Sequence, residues 1–575
     1  MAEAIWQRGI APTDQQQPAR FLKQDEQYVQ HAYDLFRQFQ QQTQAYHNKC
    51  RDNETLWRGK HWRNMRKQPG DPQPVTPILF STVENMLADI MDNYPEPVLV
   101  GEEMDDDPMA EDLQAVVRYI LKRRGFRSIY RRKVHQALKT GTSVLEVFWD
   151  KQLYGSLGDV NIRTVDIRDF YWDPAQEDIQ KGRAVFKATF QPLSYFRQRY
   201  PDQWRYIQPD YGGFTRADYV RLDPLDEREQ VLMLEHWYRV WDAEQERYRV
   251  HMGLLAGGVI LFRSEDDEAL RERGIYEHGC YPFIVEPLYP IAGEAVGLGM
   301  ADIFGDLQHY IDKLDQLMLR NILMSASPRM LVNRSADLDM AALADWERNF
   351  VEGSRIDEGA VRWFQPQPLS EKTAQVQAQK IERLERDSGQ NAFTRGETMG
   401  GVTAASGILA LQEAGNKRTR LLVDQFYDGF EQLVRMVVEL IAENYSEVRY
   451  VRVLGERGHM VPFSASRLRL LPGHDLDGRL NHVEFDVQVH AQKQNPYRTT
   501  YVNELVSQLA QSNILTAEEA LTLMDIPQKD RVLEMVRERN QQQERLEMQG
   551  LELERLREKA APPQEPTLPA NFPNG

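Results

Sequence analysis

The chain has 575 residues, enough for several domains, and its 41% hydrophobic and 27% charged residues suit a folded protein with wet surfaces. Acids outnumber bases by 87 to 70, a formal net charge of −17, which argues against tight nonspecific DNA binding, because phosphate neutralisation needs clustered Lys and Arg; loose contact with DNA stays open. Two cysteines far apart in sequence, Cys50 and Cys280, exclude a disulfide framework and a cysteine-based zinc site, and read as packed thiols in a reducing compartment.

Residues 1–20 are Gln- and Pro-containing, with no signal-peptide pattern. No apolar run approaches the roughly 18 residues of a membrane helix, so assembly in a cytoplasm is expected. Residues 22–50 read as a polar helix. The stretch "ETLWRGKHWRNMRKQPGDPQP" (54–74) carries Arg58, Lys60, Arg63, Arg66 and Lys67 beside two tryptophans. It reads either as a nucleic-acid contact with interleaved aromatics or as a loop packing its tryptophans under a neighbour. The overall acidity favours the loop.

Thr76-Pro77 opens a helix whose Leu79, Val83, Leu87 and Ile90 repeat at helical spacing, and "NYPEP" ends it. Two more helices are predicted, near 107–124 and 126–140. The basic "KRRGFRSIYRRK" (122–133) lies at their junction and the acidic "EEMDDDP" (102–108) just upstream. Both read as solvated faces, although such opposite patches could also meet across a subunit interface. From Ser143 the pattern changes to strands, in "SVLEVFWD", "DVNIRTVDIRDFYWDP" and "AVFKATFQPL", then at 231–240, 246–252 and 258–263. This is an α+β pattern, not a regular βαβ alternation, and argues against a dinucleotide-binding fold.

Residues 301–325 form a predicted helix of about 37 Å, with Leu307, Ile311, Leu314, Met318 and Ile322 on one stripe. "SPRMLVN" reads as a break and a short strand, opening a compact mixed insert that runs to 360–370. A polar helix follows at 371–389, with only Ala374, Ala378, Ile381 and Leu384 as a thin stripe; such a helix fits a ring or a wet wall better than a core. Next comes the glycine-rich "GETMGGVTAASG" (396–407). A helix from about Thr403 to Glu443 then carries a strong stripe of Leu422, Phe426, Phe430, Leu433, Val437 and Ile441, with Gly415 and Gly429 as points of bending. Strands are predicted at 447–454 and 481–492 and a capping box at Thr516–Glu519. Residues 530–558 are charged and weakly heptad-like, and the tail is expected to be disordered.

No catalytic motif emerges. "GETMGGVTAASG" lacks the lysine a phosphate loop needs, and "VGLGMAD" (296–302) is half a dinucleotide fingerprint without its βαβ setting. HExxH, GxSxG and EF-hand patterns are absent. The Asp105–Asp107 run could take a divalent ion, but solvation is the preferred reading. No cofactor, catalytic residue or metal ligand is assigned.

The order helix, mixed insert, polar helix, glycine loop and long bent helix resembles bacteriophage portal proteins. "LWRGKHW", "NMLADIMDNYPEP", "DVNIRTVDIRDFYWDPAQEDIQKGRAVF", "GLGMADIFGDLQHYIDKLDQLMLRNILMSASPRMLV" and "GGVTAASGILALQEAGNKRTRLLVDQF" are each similar to stretches of the P22-like portal group, over roughly residues 50–450.

The resemblance implies an α+β portal fold with wing, stem, clip, long bent helix and helical C-terminal crown. Carried onto this sequence, residues 1–21 are a flexible N-terminus, 22–300 the wing, 301–326 and 370–390 the two stem helices, and 327–369 the clip. Residues 391–406 are the tunnel loop, 407–497 the long helix and further strands, 498–559 a C-terminal crown or barrel and 560–575 a disordered tail.

The implied role is a non-enzymatic ring, a dodecamer in the mature particle, at one capsid vertex of a virion assembled in the host bacterial cytoplasm. Double-stranded DNA would pass its channel during packaging and ejection. Terminase large subunit, major capsid protein, scaffold and a head-completion or tail-adaptor protein would dock, with no membrane involved. The channel loop would use Arg395, Gly396, Glu397, Thr398, Met399, Gly400, Gly401, Val402 and Thr403. Ring contacts would use Lys372, Lys380, Glu382, Arg383, Glu385 and Arg386, and clip docking Arg329, Asp345, Glu347, Arg348 and Arg355. Two other readings stay open: a metal-dependent nucleic-acid-processing enzyme, and another head or scaffold protein.

Overall fold

The computed structural model describes residues 23–389, apart from 64, 66–69, 102–106, 156, 210, 215–229, 244–246, 327–328, 346, 358, 365–368 and 370. Beyond these it describes 417–445, 449–452, 460–463, 485–493, 496–512, 515–524 and scattered positions from 532 to 548.

Helix α1 (Lys23–Trp57) is followed by α2 (Ile78–Met91), strand β1 (Asn93–Gly101) and the helices α3 (Asp107–Arg123) and α4 (Phe126–Thr140). Antiparallel strands come next: β2 (Thr142–Asp150), β3 (Asp159–Val165), β4 (Phe170–Trp172) and β5 (Ala184–Pro192). Short α5 (Leu193–Arg199) precedes β6 (Gln230–Asp242), β7 (Arg247–Ala256) and β8 (Val259–Arg263); α6 (Glu268–Arg273) precedes β9 (Phe283–Pro287). The two-residue strands β10 (Tyr289–Pro290) and β11 (Gly297–Leu298) lead into α7 (Met300–Ala326). A hairpin of β12 (Arg329–Val332) and β13 (Val361–Phe364) encloses α8 (Met340–Ala344). Then come α9 (Glu371–Ser388), α10 (Lys417–Asn444), β14 (Arg449–Arg452), β15 (Met460–Phe463) and β16 (Phe485–Lys493). The chain divides into two compact units, the second formed by 454–459 and 493–575. That unit holds α11 (Pro496–Gln511) and α12 (Ala517–Leu523), the latter opened by the expected capping box of Thr516 and Glu519.

In the first unit a five-stranded sheet has the order β4-β5-β6-β7-β8. Alternate residues of β6 point to opposite faces, and both faces are covered. Leu232 and Leu234 meet Val29, Ala32, Tyr33, Phe36 and Phe39 of α1, whose spacing places them on one helical side. Val231 and Met233 meet Phe196 and Tyr200 beyond β5. A three-stranded sheet, β3-β2-β9, lies in the larger core with α2, α3, α4, α7 and α10. Its central strand β2 is buried from Thr142 to Trp149, which explains the nearly unbroken apolar run of its sequence.

Buried charges join these layers. Glu146 on β2 accepts from Arg163 at 2.8 and 2.9 Å and from Lys187 at 3.1 Å, and Lys187 also reaches Glu235 at 3.0 Å. Burial opposes ionisation of Glu146, but Arg163 and Lys187 outweigh it and hold its carboxyl well below the usual range.

The α+β class agrees with the sequence pattern, and the α10 stripe from Leu422 to Ile441 is buried throughout. Other expectations need correction. "NYPEP" follows the end of α2 at Met91 as expected, but it also supplies the first residues of β1, which pairs with β16 some 390 residues later by sequence, a partner no local pattern announces. The basic run 122–133 is not wholly solvated: Arg124 bonds Asp159 at 2.5 Å, and Lys133 is fully buried against Glu286 at 2.6 Å. A helix face that carries one buried lysine among apolar neighbours reads as amphipathic, and its lysine then looks like a boundary residue. The tryptophans fit the packing reading, since Trp62 is buried and donates to the Pro74 carbonyl at 2.7 Å.

Candidate functional site

Helix α7 starts at a tight backbone junction. Gly141 ends α4 with φ 89°, and a Cβ there would lie 2.3 Å from the Gly297 carbonyl oxygen. A Cβ at Gly299 would lie 2.7 Å from the Gly141 nitrogen. The glycines of "VGLGMAD" therefore serve a close crossing of two backbones. Asp302 then closes the first turn. It accepts from the Gly299 amide at 2.8 Å and from Asn53 at 2.7 Å, and pairs with Lys49 at 3.2 Å.

The inward face of α7 differs from the apolar stripe expected. Ile311 is buried, but Ile322 is 60% exposed. Gln308, Asp312 and Gln316, spaced four apart, are buried instead. They hold the extended segment Asp71–Thr76. Gln308 donates to the Thr76 carbonyl at 2.6 Å, and Gln316 to the Pro72 carbonyl at 2.9 Å. Asp312 accepts from the Thr76 amide at 3.2 Å and pairs with buried His61 at 2.5 Å. Pro72 and Pro74 have no amide to donate, so this strap presents carbonyls that side-chain amides and the Trp62 indole satisfy. The one sequence signal for this was the Gln-x-x-x-Asp-x-x-x-Gln spacing.

Asp315 joins the strap to the second helix, accepting from Thr76 Oγ1 at 2.5 Å and from Gln377 of α9. On α9, Leu384 is buried and Ile381 half-buried, while Ala374 and Ala378 are exposed. Of the predicted contact residues there, Lys372, Glu382, Arg383 and Arg386 are exposed and Lys380 and Glu385 half-exposed. Arg383 and Arg386 pair with Asp387 of the same helix at 3.2 and 3.5 Å.

Past Asp315, α7 is apolar on several sides. Leu317, Leu319, Ile322 and Leu323 are all exposed, and Ile303, Tyr310 and Leu317 form a further exposed line at seven-residue spacing. A helix end of this composition belongs inside something, and the single chain leaves it bare.

Beyond α7, the β12–β13 hairpin and α8 carry the predicted docking residues on one small lobe. Asp339 caps α8, accepting from the Ala341 and Ala342 amides at 2.9 and 3.1 Å. Asp345, Glu347, Arg348 and Arg355 are exposed, as is Arg329 on β12, and Arg348 reaches Asp345 at 3.4 Å. Sequence reasoning missed Phe350 in the same lobe, which is 84% exposed, and Leu331, Met340 and Ile356 beside it in exposure. The predicted loop residues Arg395–Thr403, with Gly415, lie outside the described residues, as do 102–106 of the acidic run.

Among the described residues no three His, Cys, Asp or Glu side chains are grouped to hold a metal ion, and no helix is long and apolar enough to cross a membrane. A family model described as phage SU10 portal protein matches residues 156–469, more than half of the chain. Another, described as phage P22-like portal protein, matches residues 27–279. No curated protein matches the chain.

Proposed function

The chain belongs to the phage portal protein family, and from that premise we propose that it is one subunit of a ring at a capsid vertex, forming the channel through which double-stranded DNA is packaged and ejected. The observation that carries this reading is the bare apolar end of α7, with Leu317, Leu319, Ile322 and Leu323 exposed in the single chain. Neighbouring copies around a closed ring would cover it by a heterologous contact.

In this reading α7 and α9 are the stem, 327–369 the clip and 391–406 the tunnel loop. Residues 22–300 build the wing, joined by the strands after α10, and 498–559 form the crown. The outward charges of α9, Lys372, Lys380, Glu382, Arg383, Glu385 and Arg386, would face adjacent copies. Arg329, Asp345, Glu347, Arg348 and Arg355 would meet terminase and later a head-completion or tail-adaptor protein. The net charge of −17 per chain suits a conduit that must let DNA slide, since each neutralised phosphate adds affinity and drag. Packaging energy would come from the terminase, leaving this chain without catalysis.

Negative-stain images of the purified full chain test the proposal: discrete rings with a central hole are expected, and a homogeneous monomer or dimer across conditions overturns it. Metal-dependent cleavage of DNA or turnover of ATP by the pure chain would favour an enzyme instead. Within the ring, replacing Gly400 and Gly401 together by leucine should leave assembly intact and reduce packaged DNA; unchanged phage titres would remove the loop from the channel.

A further inference from the structure

Some charges around α3 and α4 are matched within the chain. Arg118 reaches Glu96 at 4.0 Å, Lys139 reaches Glu54 at 2.6 Å, and His135 meets Glu84 at 3.0 Å. Arg123 lies 4.4 Å over the Tyr154 ring. Five charges stand apart from this pattern. Lys122, Arg131 and Arg132 are exposed, and among the described residues none has a carboxylate at ion-pair distance. Glu111 and Asp112 are equally exposed and equally unmatched among the described residues. The cations cluster where α3 hands over to α4, while the two acids sit toward the start of α3, about two to three helical turns away.

Two further points single out the basic cluster. The opening turn of α4 holds Arg127 and no acid, so a positive side chain stands at the positive end of the helix dipole, and Arg131 and Arg132 follow one turn later. The chain as a whole is strongly acidic, so copies brought side by side repel. A basic patch at the α3–α4 junction and unmatched carboxylates about two to three helical turns away along α3 would reverse that repulsion at a contact between copies and fix its orientation.

We propose that Arg131 and Arg132 of one copy, with Lys122 beside them, dock against Glu111 and Asp112 of the next copy, as a head-to-tail charge contact of the wing. The proposal rests on the ring reading and adds a specific interface to it. A heterologous contact of this kind needs two different patches on every subunit, and α3 and α4 carry both.

The test uses the full chain and measures the assembled fraction by mass photometry, with far-UV circular dichroism as the folding check. Arg131→Glu with Arg132→Glu should lower assembly about tenfold at fixed concentration, and Glu111→Lys with Asp112→Lys should do the same. All four changes in one chain should restore rings, and so should a one-to-one mixture of the two double variants. Raising salt from about 0.1 to about 1 M shortens the screening length from about 10 to about 3 Å and should weaken wild-type assembly more than that of the double variants. If wild type forms rings and both double variants assemble equally well, the contact is wrong while the ring stands. If the fourfold variant fails to recover, the pairing is wrong. Rings that form normally but lose duplex DNA in a gel-shift assay would make the patch a phosphate-binding surface and overturn the proposal. Absence of rings in wild type removes the ring reading, and this contact falls with it.

Discussion

The Glu286 carboxylate occupies the space where a side chain at position 429 would begin: a Cβ on Gly429 would fall 1.6 Å from Glu286 Oε1. A residue that sequence reasoning reads as a point of bending in α10 is thus a notch for a buried carboxylate on β9. Gly429→Ala forces either the helix or the carboxylate to move, and neither has room. Overpacking of this kind costs about 1–3 kcal/mol, and displacing a buried ion pair adds to it. Thermal unfolding of the variant should show a midpoint lower by several degrees; an unchanged midpoint would mean that α10 shifts freely.

Lys133 and Glu286 form a buried pair in the core, 2.6 Å apart, with Ser143 Oγ donating to the carboxylate at 3.3 Å and the ammonium 5.3 Å from the Tyr130 ring and 5.2 Å from that of Phe426. Burial pushes the lysine pKa down and the glutamate pKa up, and each partner opposes the other's shift. Glu286→Gln should therefore cost about 3–5 kcal/mol, because it strands a buried cation. Lys133→Met combined with Glu286→Met should cost less than the sum of the two single changes. Denaturant melts arranged as a double-mutant cycle measure the difference, and strict additivity would contradict the pairing.

Acid should destabilise the protein between pH 7 and 5 through buried histidines. Burial lowers His47 to about 4, against the pull of the Phe170 carbonyl that its Nε2 meets at 3.2 Å. Burial, with repulsion from His31, lowers His236 to about 3, and its ring stacks on Phe186 at 4.6 Å. Both stay neutral in the fold while the unfolded chain takes up protons near pH 6.5, so stability rises with pH across this window. Going from pH 7 to 5 should remove about 2 kcal/mol per histidine. Glu146 acts lower: its depressed folded pKa adds stability above the usual carboxylate value, and that part is lost only below about pH 4. Burial lowers His278 to about 4 as well. Unfolding at pH 7 and pH 5 should show the loss, and His236→Asn should shrink it by about 2 kcal/mol, one histidine's share. A profile flat between these values would contradict the burial of neutral imidazoles.

Ile322→Asp with Leu323→Asp should leave the isolated fold intact, since both side chains are exposed. The double variant should stay monomeric where wild type forms rings. Sedimentation velocity distinguishes the two, and rings from the variant would place the stem contact elsewhere.

Local patterns were legible. Apolar spacing located α2 and α10, dense β-branched and aromatic runs located β5 to β8, and the Thr516 box marked the start of α12. Partnerships over long separations were not. The polar face of α7 is buried only because a proline-containing strap more than two hundred residues earlier offers its carbonyls there, as the separation of 244 between Pro72 and Gln316 makes plain. Hydropathy ranks glutamine and aspartate as surface residues and so favours the wrong face. The stem and lobe candidates could be located, but Phe350 was overlooked because a lone apolar residue in an irregular stretch has no period.

The strap also orders events on the ribosome. His61 and Asp312 are 251 residues apart, and Leu79 and Gln308 are 229 apart, so the N-terminal partners emerge long before the helix that receives them. At about 5–20 residues per second the wait is on the order of 10–50 seconds. Throughout it His61, Trp62 and the first turn of α2 lack their seat. Nascent chains halted before residue 300 should therefore hold this stretch open to chaperones and proteases, and release it only once α7 has left the exit tunnel.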